Sequence, residues 1–296
     1  MAARVHFDEG EDIIDICLDN VFKAVFTRGS PASQGALSAL VSAITGRELM
    51  ALRVMANEPA PENLRDRQMR FDIQCKADDG ELVNVEMSLN PDPFEPVRLE
   101  FHAAKLFTGQ DIRGADKTYN DLMRAYQITI LARERFFPDG DFFHGFEYYD
   151  AERRMPLGGR SRIMTLELSK LEAVAKKPTP QMSVPERWAV YFKYLRDGKM
   201  RGKINEILER EEGIAMASEV LLEISRDEEE RARLMSEYKY QLDIQSKLVH
   251  AKRQAHEEGR EEGREEGREE SEQYVLDLIA QGLSAEEIKL RLKKKG

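Results

Sequence analysis

Apolar and polar residues alternate strictly on both sides of a single turn signal. Phe71, Ile73 and Cys75 alternate with Asp72, Gln74 and Lys76, and after the turn Val83, Val85, Met87 and Leu89 alternate with Asn84, Glu86 and Ser88. A period of two predicts two strands, and Asp78-Asp79-Gly80 between them predicts a hairpin. A two-residue turn at Asp79-Gly80 would set Ile73 opposite Glu86 and carry a carboxylate onto the apolar face. A three-residue loop, with Gly80 left-handed, sets Asp72 opposite Glu86 and Gln74 opposite Asn84, and this is the expected register.

Elsewhere the period lengthens to that of a helix. Helices are predicted from Asp19 through Phe22, Val25 and Phe26, with Asp19 as a candidate cap, and from Ser33 to Thr45, stopped by Gly46. Val97 to Ile112 is a third, and it puts Arg98 and His102 on one face. Ser183 to Arg196, Ile204 to Ile224 and Glu228 to His250 complete the long helices, with Pro178, Pro180 and Pro185 marking a linker. Further strands are expected at Glu48 to Asn57, Ala125 to Ala132, Phe142 to Tyr149 and Arg162 to Leu168. Near the C-terminus Tyr274 to Gln281 reads as a short helix, and Ser284 with Glu287 as a capping box for Ala285 to Lys294.

Composition narrows the class. With 41% hydrophobic and 34% charged residues among 296, the chain reads as soluble and globular. No run approaches the roughly 18 apolar residues of a membrane span, and the acidic first residues do not resemble a secretion signal, so a cytoplasmic protein away from membranes is expected. Cys17 and Cys75 lie far apart without histidines at metal spacing, which points to buried thiols and away from disulfides or zinc. A net charge of −10 argues against a broadly basic nucleic-acid surface. Half of that excess, however, sits in Glu257 to Glu270, where eight Glu face three Arg. This tail repeats every four residues, so its glycine column at Gly259, Gly263 and Gly267 suits close approach of another helix, a homo-oligomer through the C-terminal helices. A solvated, partly helical spacer is the competing reading.

The hairpin carries the candidate chemistry. Directly opposed side chains have Cβ atoms about 4.5–5.5 Å apart, which lets two carboxylates share one divalent ion at about 2.0–2.1 Å. Two solvated acids on an exposed face are the alternative on spacing alone. Arg65, Arg67 and Arg70 precede the hairpin, and Arg153, Arg154, Arg160 and Arg162 form the densest basic cluster beside Gly158-Gly159; both segments are candidate phosphate contacts or ordinary charged loops.

Asp72, followed by Glu86-Met87-Ser88 on the next strand, resembles the core of the PD-(D/E)XK nucleases. More specifically, the chain resembles the recombination-promoting nucleases, or PD-(D/E)XK nuclease family transposases. Asp19-Asn20-Val21-Phe22-Lys23, Arg70-Phe71-Asp72-Ile73, Val85-Glu86-Met87, Arg98, Leu166-Glu167-Leu168-Ser169-Lys170 and the EEGR repeats carry that resemblance, in order, over most of the chain. It implies an α+β fold: a restriction-endonuclease-like mixed sheet flanked by helices, with a helical C-terminal extension. The expected parts are a nuclease core at 1–177, a helical region at 178–255, the repeat helix or spacer at 256–271 and a two-helix module at 272–296.

The resemblance also implies a Mg²⁺- or Mn²⁺-dependent DNA endonuclease. Asp72 and Glu86 become metal ligands and Asp19 a candidate third; Asp72, Glu86, Ser88 and Asp19 are the catalytic positions, and Lys23, Arg70, Arg98, Arg153 and Arg154 the DNA contacts. Ser88 departs from the family pattern, because it stands where a lysine or glutamine is expected and its hydroxyl is short and uncharged. Either Gln74 or Lys76 supplies that role, or the copy is slow or inactive. The alternative is therefore a catalytically degenerate protein that keeps the fold for DNA binding or assembly.

Overall fold

The computed structural model describes residues 5–49, 52–55, 72–91, 93–112, 114 and 116–289. Arg70, and with it Arg65, Arg67 and Phe71, lies outside them. The chain divides into two units, Met1–Met235 and Ser236–Gly296.

The first unit is built on a six-stranded sheet in the order β1-β2-β3-β4-β6-β5. Its strands are β1 Arg53–Val54, β2 Ile73–Lys76, β3 Leu82–Ser88, β4 Ala125–Leu131, β5 Phe143–Phe146 and β6 Ser161–Glu167. The central strands β3, β4 and β6 are parallel, and antiparallel strands flank them on both edges. A parallel centre is covered on both faces, and every residue of β3 and β4 is buried. The hairpin adopts the expected register, with Ile73 opposite Val85 and Gln74 opposite Asn84. Ala77 N–H reaches Glu81 O at 2.9 Å, closing the loop over Asp78-Asp79-Gly80, and Gly80 turns it at φ +89°.

Helices α1 Asp19–Thr27, α2 Pro31–Thr45, α5 Val184–Tyr194, α6 Arg201–Arg210 and α7 Glu212–Arg226 form the largest helical layer. Its centre is aromatic: Phe22, Phe26, Trp188 and Phe192 are buried, with Phe22 and Phe26 ring centres 4.7 Å apart and those of Trp188 and Phe192 5.6 Å apart. Helices α2 and α7 pack most closely, and Gly213 is the reason they can. A Cβ there would come within 2.1 Å of the Ala39 Cβ. Helix α3, Glu95–Thr108, packs on β3, β4 and β6, and the single turn α4, Glu172–Ala175, leads through buried Thr179 into α5. The Pro178–Pro185 stretch lies inside the first unit.

Several helix ends follow the sequence. Ser30 caps α2 by accepting from Ser33 N–H, and Gly46 ends it at φ +66°. A capping box of Ser183 and Glu186 starts α5. Other expectations need correction. Asp19 is the first residue of α1 and makes no cap; its carboxylate turns to Lys23 instead. The strand expected from Glu48 to Asn57 pairs only over Arg53–Val54 among the described residues. The helix expected from Ile204 to Ile224 breaks at Glu211, whose ψ of 96° is extended.

The final helix, α8, runs unbroken over Glu228–Ala280, where two helices separated by a repeat helix or spacer were expected. The repeat's i,i+3 Glu–Arg pairs do not form among the described residues. The contacts are i,i+4, as in Arg268 with Glu272 at 3.2 Å and Gln254 with Glu258 at 2.9 Å. In the second unit Gly282, at φ +80°, ends α8. Residues 285–289 are helical again, and Glu287 accepts from Ser284 N–H at 2.9 Å. No helix among the described residues is long and apolar enough to cross a membrane.

Candidate functional site

The register of β2 and β3, carried one residue past Ile73 and Val85, puts Asp72 and Glu86 side by side at the mouth of the hairpin. Asp72 Oδ2 accepts from Met87 N–H at 3.3 Å. Its Oδ1 lies 3.0 Å from Lys23 Nζ, and the same ammonium meets Asp19 Oδ2 at 2.9 Å. One turn of α1 thus brings an acid and a lysine, four residues apart, to the strand that carries Asp72. The second oxygen of Asp19 is buried and accepts no hydrogen bond among the described residues.

Glu86, only 5% exposed, is held from the other side. Arg98 of α3 ion-pairs with Glu86 Oε1 and, at 2.5 Å, with buried Glu95. One turn further along α3, His102 Nδ1 lies 3.3 Å from Glu86 Oε2. Gln127 of β4, fully buried, donates to that oxygen at 3.2 Å, and its own carbonyl accepts from Asn84 at 2.8 Å.

These surroundings split the two carboxyls. Burial, then the charges of Asp19 and Glu86, raise Asp72 to about 8, and Lys23 only partly opposes them. Burial would raise Glu86 as well. The hydrogen bond from His102 and the charge of Arg98 outweigh it and hold Glu86 below the ordinary carboxylate range. Lys23 is raised despite its burial, chiefly by Asp72 and then Asp19. Pairs of acids driven apart in this way mark functional sites more often than structural ones.

An all-oxygen donor set suits a hard cation such as Mg²⁺ or Mn²⁺ rather than zinc. The partnerless Asp19 oxygen and the crowding of Asp72 fit such an ion. Among the described residues no three His, Cys, Asp or Glu side chains already close on one point. Lys23 and Arg98 occupy the carboxylate oxygens instead, and the Lys23 ammonium stands in for the positive charge an ion would bring.

Of the residues expected to contact DNA, Lys23 and Arg98 are therefore engaged with the acids. Arg153 pairs with Asp150 at 3.1 Å, and Arg154 is a non-glycine residue at positive φ, 51°. Both sit in the turn beyond β5, at the end of the sheet away from Ser88, and are not brought to the hairpin acids. Ser88, buried, ends β3, and its carbonyl accepts from Ala132 N–H at 2.8 Å. Lys76 lies at the turn end of β2, away from Asp72. Gln127 was not anticipated; its only signal is one amide in a largely apolar central strand.

A second lysine sits between two carboxylates beyond β6. Lys170 Nζ, 3% exposed, lies 2.5 Å from Glu167 and 3.2 Å from Asp139. Glu167 also accepts from Phe136 N–H at 2.6 Å, and Asp139 accepts from Asp141 N–H at 2.9 Å. His144 Nε2 lies 3.0 Å from Asp139. Although loss of water opposes it, the Asp141 N–H, Lys170 and His144 hold Asp139 down at about 2.

The profile of a family described as PD-(D/E)XK nuclease family transposase matches residues 16–251. No curated protein and no solved structure matches the chain.

Proposed function

The chain belongs to the PD-(D/E)XK nuclease family transposases, and from that premise we propose that it is a divalent-metal-dependent DNA endonuclease whose ion is held by Asp72, Glu86 and Asp19. The observation that carries this reading is the crowding of Asp72, raised to about 8 by burial and by the two neighbouring acids. Like charges placed so close are stable only with a cation among them.

A bound Mg²⁺ or Mn²⁺ supplies Lewis-acid chemistry, making water a better nucleophile at phosphorus and easing departure of the leaving oxygen. The chain's own residues prepare for it. Gln127, His102 and Arg98 fix the Glu86 carboxylate and keep it ionised. Asp72 is aimed by Met87 N–H. Lys23 contacts both Asp19 and Asp72 in the resting state, then swings aside to meet the substrate phosphate. In that position it supplies the charge that Ser88 lacks, because its long side chain reaches where a serine hydroxyl cannot.

Plasmid nicking with Mg²⁺ or Mn²⁺ tests the proposal. Wild type nicks only with metal, and Asp72→Ala loses the activity by about a thousandfold or more, a barrier change near 4 kcal/mol. A second reading, a degenerate protein that only binds DNA, draws on Ser88 and on carboxylates that do not yet close on a point. It predicts DNA binding without nicking in either metal.

A further inference from the structure

A cavity of about 220 Å³ opens at the carboxyl ends of β4 and β6, lined among others by Asp15, Cys17, Arg133, Phe192, Lys193 and Arg196. Crevices outside the carboxyl ends of parallel strands are where open α/β sheets take their ligands. This one is smaller than the roughly 300–1,000 Å³ that drug-sized ligands fill. It is roomy for a phosphate group and small for a drug-sized ligand.

Its charge is the telling feature. The arginines and lysines near the hairpin acids and in the turn beyond β5 are largely engaged: Lys23 and Arg98 with acids, Arg153 with Asp150, Arg162 with Glu147 at 2.9 Å. Arg160 donates to the carbonyls of Asn120 and Leu122. Arg196 is drawn towards Asp15 at 3.6 Å. Arg133 and Lys193 are different: both are exposed, and neither makes an ion pair or hydrogen bond among the described residues. Both lie close enough to the buried Cys17 thiol to oppose, by their charge, the rise that burial imposes on it. Two uncommitted cations thus face one small cavity against a single carboxylate that is already shared.

The cavity also lies in the right place. Ala132 N–H bonds the carbonyl of Ser88, so Arg133 follows directly from the end of the strand next to Glu86. Thr129 is the residue opposite Glu86. Two residues of strand, two more of the bend beyond β4 and one strand spacing separate Arg133 from Glu86, at most about 14 Å between Cα atoms. That distance is a few nucleotides along one strand. We infer that this cavity seats a backbone phosphate of the nucleic-acid strand cut at Asp72 and Glu86, held by Arg133 and Lys193. The inference rests on the nuclease reading above.

Binding without cleavage tests it: fluorescence anisotropy of a short DNA duplex with the full chain in EDTA, across a series of salt concentrations. Arg133→Gln with Lys193→Gln is expected to weaken binding about tenfold or more and to make the salt dependence shallower by about one unit of slope. Both side chains are exposed, and a matched melting curve establishes that the variant is folded. Unchanged affinity and slope in the double variant overturn the cavity's role whatever nicking shows. Wild type that binds DNA through these residues yet never nicks removes the nuclease reading and leaves the phosphate seat standing. Inorganic phosphate that stabilises wild type but not the variant, with DNA affinity equal in both, would assign the cavity to a free anion and overturn the strand contact.

Discussion

Twice among the described residues a lysine ammonium lies between two carboxylates, and the two centres end in opposite electrostatic states. At Asp139, Lys170 and Glu167, main-chain N–H groups of Phe136 and Asp141 and the ring of His144 add to the lysine, and Asp139 is driven down to about 2. At Asp19, Lys23 and Asp72, a third acid stands alongside in Glu86. One Asp19 oxygen is buried without a donor, and Asp72 is driven up to about 8. The first centre balances its carboxylates with donors and ties the end of β6 to the loop beneath it. The second is short of positive charge, which suits the proposed uptake of a cation, and such crowding costs the fold stability.

The sharpest way to break this contrast is to neutralise an acid at each centre and compare stabilities. Glu167→Gln leaves the buried Lys170 charge with exposed Asp139 and the Asp141 carbonyl for company. A loss of about 3–5 kcal/mol in denaturant unfolding is expected; a loss under about 1 kcal/mol would mean the Lys170 centre is not the structural one.

Asp72→Asn goes the other way. Wild-type Asp72 stays protonated in the folded chain up to about pH 8, whereas the unfolded chain ionises it near pH 4. The stability it contributes is therefore fully present below about pH 4 and lost as pH rises through 8. Asn cannot ionise, so the variant should gain on wild type across that window, by up to about 5 kcal/mol at pH 8 and above without metal, about four pH units at about 1.4 kcal/mol each. A difference that does not vary with pH would contradict the crowded carboxyl.

Much of this was legible in the sequence because it is local. Asp78-Asp79-Gly80 and the alternation around it define which residues of the hairpin face each other, and the spacing of Arg98 and His102 brings both to Glu86. What the sequence did not disclose is long-range pairing. Lys23 read as a phosphate contact or a partner for the acids, and Arg98 as a phosphate contact, because nothing in the order of residues says which acid will take them; the packing of α1 and α3 on the sheet decides it. Gln127 was hidden for the same reason, since only the parallel pairing of β3 and β4 turns its amide towards Glu86. The break at Glu211 and the unbroken α8 escaped notice because helix periodicity says little about where one helix stops.

The account depends on the hairpin acids binding one ion, and a Mn²⁺ titration followed by electron paramagnetic resonance measures that directly. Wild type should bind one Mn²⁺ per chain at the hairpin, Asp72→Asn and Glu86→Gln should each lose it, and Asp139→Asn should keep it. Equal Mn²⁺ binding by wild type and Asp72→Asn would contradict the account.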